Sequence, residues 1–219
     1  MRSLWIVSLL VFVTLPTIAT AGFDAEPGVD RNFCRSTRGT TIVATRTARV
    51  YVRTRNTGTR RYACLRSIGT GFAIDKPNEC EFAQNDELIV LAGNLVGYYF
   101  EADDCEGLDP KITALDVRVM DLRTGKLRMI EDARSRGLKK VVLRPTGSVA
   151  WIAYVDHDND DDSVVDEPTD DVPRLFKRDA GSRRAVILDT SAAIRRLTLR
   201  GSRLTWTDAQ NRHKKAKLR

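Results

Sequence analysis

The sequence predicts an all-β protein made of repeated antiparallel hairpins, and three observations predict it. Apolar and polar residues alternate at a period of two in Ala48-Arg-Val-Tyr-Val-Arg-Thr54, and Val117 and Val119 fall on one face of a second strand, the spacing that turns one face of a strand to a core. Short apolar runs are divided by turn formers such as Gly93-Asn94, Thr124-Gly125 and Gly201-Ser202. Nowhere does an apolar stripe persist at the helical period over several turns.

Residues 88–131 hold one complete unit. Residues 88–101 fold at Gly93-Asn94, and residues 117–130 fold at Thr124-Gly125, giving one hairpin followed by another. The order returns in residues 139–189. There, 139–144 and Val149-Ala-Trp-Ile-Ala-Tyr-Val155 flank Pro145-Thr-Gly-Ser148, and 174–178 and 184–189 flank Asp179-Ala-Gly-Ser182.

The ends of the chain supply pieces of the same pattern. Residues 22–39 read as an irregular lead-in pinned by Cys34, residues 41–45 as a first strand, and residues 48–66 as a hairpin turning at Asn56-Thr57-Gly58. In that hairpin Val50 and Val52 are expected inward, and Arg49, Tyr51 and Arg53 outward. A connection through Lys76-Pro77-Asn78 leads to the complete unit, and residues 197–207 with 214–218 end the chain as further strands. Two hairpins in succession are the layout of a propeller blade. The expectation is two full copies and one split copy, its halves contributed by the two ends of the chain. A two-sheet β-sandwich is the alternative architecture.

The motifs Val117-x-Val-x-Asp-Leu-x-Thr-Gly-Lys126 and Leu143-Arg-Pro-Thr-Gly-Ser-Val-Ala-Trp151 resemble the repeat signatures of TolB-like and WD40-like β-propellers. The whole of residues 22–219 is similar to uncharacterised secreted bacterial proteins built from such repeats. What the resemblance implies is a binding platform.

Residues 1–21 read as a secretion signal, with Arg2, an apolar core and the small-x-small site Ala19-Thr20-Ala21. The apolar run is shorter than the roughly 20 residues that span a bilayer. Residues 22–219 are then one domain, secreted or extracellular, with no transmembrane segment. The formal charge of +7 becomes +6 when Arg2 leaves with the leader, and it is unevenly spread: residues 156–171 hold nine acids and no base, while residues 172–219 hold fourteen Lys or Arg against Asp179, Asp189 and Asp208.

Cys34, Cys64, Cys80 and Cys105 suit disulfides in an oxidising compartment. Of the three possible pairings, Cys80 with Cys105 is favoured because the two flank the 88–101 hairpin, leaving Cys34 with Cys64. Metal-site spacing such as C-x-x-C is absent from the sequence.

The candidate chemistry is thin. Asp156, Asp158, Asp160 and Glu167 fall at positions 1, 3, 5 and 12 of a calcium loop, but Asp161 stands where the bend needs glycine, and a hydrated acidic loop is the plainer reading. Arg195, Arg196, Arg200 and Arg203 would serve an anionic polymer, or simply face solvent. Nucleic acid is not expected, since Trp206 is the one aromatic among those bases and gives no stacking platform. Trp151, Trp206, Tyr98 and Phe100 are placed in the core. His157 and His213 read as surface residues, and G-x-S-x-G is absent. No catalytic, metal or cofactor residues are assigned and no cofactor is expected. The leading expectation is a non-catalytic platform for a protein or cell-envelope polymer. The alternative is an extracellular polysaccharide hydrolase or lyase.

Overall fold

A computed structural model of the protein describes residues 29–30, 34, 39–55, 58–74, 86–102, 114–132, 137–155 and 172–219. The expected leader, Cys80, Cys105, His157 and the acidic segment 156–171 lie outside these residues.

The fold is all-β and divides into four antiparallel sheets that follow one another along the chain. The first contains β1 (Val29–Asp30), β2 (Thr40–Ala44), β3 (Ala48–Arg55), β4 (Gly58–Leu65) and β5 (Gly71–Ala73), in the order β1-β5-β4-β3-β2. The second is β6 (Val90–Ala92), β7 (Leu95–Ala102), β8 (Ala114–Asp121) and β9 (Lys126–Asp132), led in by a single 3-10 turn at Asp86–Leu88. The third is β10 (Gly137–Leu143), β11 (Val149–Val155), β12 (Val172–Arg178) and β13 (Val186–Asp189). The last is β14 (Arg195–Arg200), β15 (Arg203–Thr207) and β16 (His213–Lys217).

The two complete units expected from the sequence are therefore the second and third sheets. The split copy is corrected. Residues 48–65 and 195–207 do not share a sheet: each belongs to a sheet of its own, completed by neighbours close in sequence. The reason is local. β2 pairs with β3 from Thr40–Val52 to Ala44–Arg49 and β5 pairs with β4, while β16 pairs along the whole of β15. These short strands give both terminal hairpins partners close at hand, in place of the ones expected at the far end of the chain.

Neighbouring sheets pack face to face. Val50, Ala63 and Leu65 of the first meet Val96, Tyr98, Phe100 and Leu122 of the second. Across the other face of the second sheet, Leu95, Val117 and Val119 meet Val141, Val149 and Trp151. Ala150, Ile152 and Leu175 of the third sheet then meet Leu197, Leu204 and Trp206 of the fourth. β11 explains its own composition: with both of its faces covered, it must be apolar throughout instead of alternating. Tyr98, Phe100, Trp151 and Trp206 are all core residues, as expected.

One inward-outward assignment is corrected. Arg49 and Tyr51 point away from the second sheet but are buried. Tyr51 stacks on Tyr62 with ring centroids 5.6 Å apart, and Cys34, bonded to Cys64, lies over the same face. Here a disulfide holds a distant segment against the outside of the sheet, so the alternation marks two buried faces of different character.

Candidate functional site

Each sheet is fastened at the same place. The residue just after the third strand of the meander donates its backbone N–H to the turn between the first two: Arg66 to Thr47 O at 2.9 Å, Leu122 to Asn94 O at 2.8 Å and Leu218 to Ser202 O at 2.9 Å. In the third sheet Ala180 N–H donates instead to Ser148 Oγ at 3.0 Å. These fastened edges also touch one another. Thr47 Oγ1 donates to Gly93 O at 3.4 Å, Arg144 Nη1 donates to Leu218 O at 2.7 Å, and Gly93 lies against Pro145. The opposite edge of every sheet, where the second strand leaves for the third, is therefore on the other side of the molecule. The ends of β7, β8, β11 and β12 that bound residues 103–113 and 156–171 lie at that edge.

The fastened edge of the second sheet carries a buried carboxylate. Asp121 accepts from Asn94 Nδ2 at 3.0 Å, from Arg123 N at 3.0 Å and from Arg123 Nη2 at 2.8 Å, and Arg128 completes the set. Hydrogen bonds from Arg123 hold its pKa far below the ordinary carboxylate value, against the opposing effect of burial. Glu131 joins the second sheet to the third, accepting from Arg178 Nη1 at 2.5 Å and Ala185 N at 3.1 Å.

Toward the other edge two carboxylates, Asp189 and Asp208, share one lysine. Lys214 Nζ lies 2.9 Å from Asp189 Oδ2 and 3.5 Å from Asp208 Oδ2. Asp189 also accepts from Trp206 Nε1 at 2.5 Å, and Asp208 from Arg212 Nε at 2.8 Å. Burial pushes the pKa of both acids upward, but the bonds from Lys214 and Trp206 to Asp189, and from Arg212 to Asp208, outweigh it and leave both lowered. The Lys214 ammonium is correspondingly raised, chiefly by its bond to Asp189. Such a pair is ionised, its two negative charges met by Lys214 and Arg212. It holds no proton to donate, which glycoside chemistry would require of one member.

A third feature is the outer face of the fourth sheet. Pairing puts Arg200, Arg203 and Lys217 side by side on three adjacent strands, and Thr198, Thr205 and Lys215 in the next row. The four cations of these rows are exposed. Sequence reasoning had Arg200 and Arg203 but passed over Lys215 and Lys217. The signal was present in the alternation of His213-Lys-Lys-Ala-Lys217, whose register against β15 only the fold supplies.

Arg195, Arg196 and His213 are exposed beside these rows. Cys34 and Cys64 are joined, with Cα atoms 5.8 Å apart. The calcium candidates Asp156, Asp158, Asp160 and Glu167 fall outside the described residues. Among the described residues no cluster of three or more His, Cys, Asp or Glu is arranged to hold a metal ion, and no helix is long and apolar enough to cross a membrane. No family model, curated protein or solved structure matches the chain.

Proposed function

We propose that the protein is an exported, non-catalytic binding platform, its four sheets arranged like the blades of a small open propeller, and that it meets a macromolecule of the cell envelope through the edge opposite the fastened turns. One observation carries this reading: the two edges of the sheets differ in kind. One edge is closed by the repeated bond from the third strand to the first turn, whereas the other sends out the two long connections 103–113 and 156–171. Long connections on a rigid scaffold are where recognition residues are usually placed. The first strands of neighbouring sheets adjoin, β2 with β6, β6 with β10 and β10 with β14, which supports the blade-like arrangement over a two-layer sandwich.

The alternative, a polysaccharide hydrolase or lyase, requires a carboxyl held protonated near neutral pH. Asp121, Asp179, Asp189 and Asp208 are all shifted the other way, which favours the platform.

Co-sedimentation of the exported chain with purified bacterial envelopes at low and high salt tests the proposal. Retention that survives high salt supports a shaped recognition site. No retention at either salt overturns it and returns the search to soluble polysaccharide substrates.

A further inference from the structure

The outer face of the fourth sheet is a binding surface of a different kind from the loop-bearing edge. We infer that it docks a linear polymer of phosphate groups without bases.

Strand register sets Arg200, Arg203 and Lys217 directly opposite one another across adjacent strands, and Thr198, Thr205 and Lys215 form the neighbouring row. Like charges placed directly opposite one another destabilise a sheet. The described acids do not relieve them: Asp179 is held by Lys177, Glu131 by Arg178, Asp189 by Lys214 and Asp208 by Arg212. An anion lying along the row removes the repulsion.

The first sheet makes the comparison. Its outer face is covered, with Tyr51, Tyr62 and Cys64 buried beneath Cys34. The outer face of the fourth sheet offers cations and hydroxyls instead, with the Thr198 and Thr205 hydroxyls 2.8 Å apart between the charged positions.

The chemistry of the occupant follows from what the face presents. Guanidinium forks match phosphate oxygens two at a time, and lysine adds point charges. Positions repeating along a row at the spacing of strands, about 4.8 Å, suit an extended chain better than a single ion, which is normally held in a concave nest of backbone N–H groups. Trp206 is turned into the core, so these strands offer bases no exposed Trp, Tyr or Phe to stack on.

The test is binding of the exported chain to long-chain inorganic polyphosphate over a range of salt concentrations. The expected result is an affinity that falls linearly in log–log form with salt. The triple variant R200Q/R203Q/K217Q is expected to bind about ten-fold or more weakly at low salt, with its salt slope reduced by about three, one for each phosphate no longer neutralised. It should melt no lower than the parent, because it removes repulsion. As control, R46Q/K139Q/K140Q removes equal charge from exposed positions on the first and third sheets, and it should change affinity less than about two-fold.

An equal loss in the control variant would mean that net charge alone attracts the polymer, and the inference fails. It also fails if single-stranded DNA of equal phosphate number binds more tightly than polyphosphate. Binding that emerges only when the acids of 156–171 are replaced by Asn and Gln assigns the face to the chain's own acidic segment, and overturns the proposal. Retention on envelopes at high salt bears on the loop-bearing edge alone, so the two readings fail separately.

Discussion

Trp206 Nε1 donates to Asp189 Oδ2 at 2.5 Å, and this one bond ties the middle strand of the fourth sheet to the last strand of the third. Trp151, buried between the second and third sheets and stacked on Phe176, has no hydrogen-bond partner for its Nε1. The two tryptophans should respond differently to the same change. Trp206→Phe removes a bond to a charged acceptor and should cost about 2 kcal/mol. Trp151→Phe loses packing volume but also relieves an unsatisfied donor, and should lie within about 1 kcal/mol of the parent. Urea unfolding of both variants measures the contrast, and equal losses would contradict it.

Acid should unfold the protein through its aspartates. Asp121, Asp179, Asp189 and Asp208 all have folded-state pKa values below the ordinary 3.8. A group depressed on folding contributes stability that is present above its unfolded pKa and lost as pH falls through the folded one. The melting temperature should therefore be level between about pH 7 and pH 5 and decline below about pH 4. Lys214 is raised above 10.5, so its contribution is complete below that value and disappears only at higher pH. A steep decline already between pH 7 and pH 5 would assign the acid sensitivity to other groups.

Two glycines separate turn strain from crowding. Gly125 has φ of 70°, and a Cβ there would collide with the ring of Phe72 in the first sheet. Gly201 has φ of 59°, but its added carbon would meet nothing within 4 Å. Gly201→Ala should cost about 1 kcal/mol, the strain of a left-handed alanine. Gly125→Ala adds overpacking between sheets and should cost about 3 kcal/mol. In the background of Phe72→Ala, much of that excess should vanish, which a double-mutant cycle measures.

The disulfide is predicted to be a large single contribution to stability. Cys34 and Cys64 are 30 residues apart, and opening a loop of that size by C34S/C64S should cost about 3 to 4 kcal/mol in the chain-entropy model. With those two joined, Cys80 and Cys105 have only each other as partners within the chain. Peptide mapping without reductant should recover a peptide pair bridged through Cys80 and Cys105. Two separate thiol peptides would contradict it.

The strands themselves were legible in the sequence because their signals are local. Gly93-Asn94, Thr124-Gly125 and Gly201-Ser202 mark turns through backbone chemistry that needs no distant partner, and all three are turns in the structure. The apolar run at 149–155 announced a strand, and β11 is that strand. The signal failed at short strands. Gly71–Ala73 is too brief to show a period, so the first sheet was underbuilt and the terminal hairpins were sent to find one another.

Sequence alone therefore determined the fold class, the two central units and the core identity of Trp151 and Trp206, since alternation and turn chemistry are set within a few residues. Only the tertiary structure decided that there are four sheets, and that Tyr51 is buried beneath a disulfide. It alone aligned Arg200 with Arg203 and Lys217 in one exposed row. Those facts depend on which strands pair and in what register, and a shift of one residue in register would turn every side chain of β16 to the opposite face.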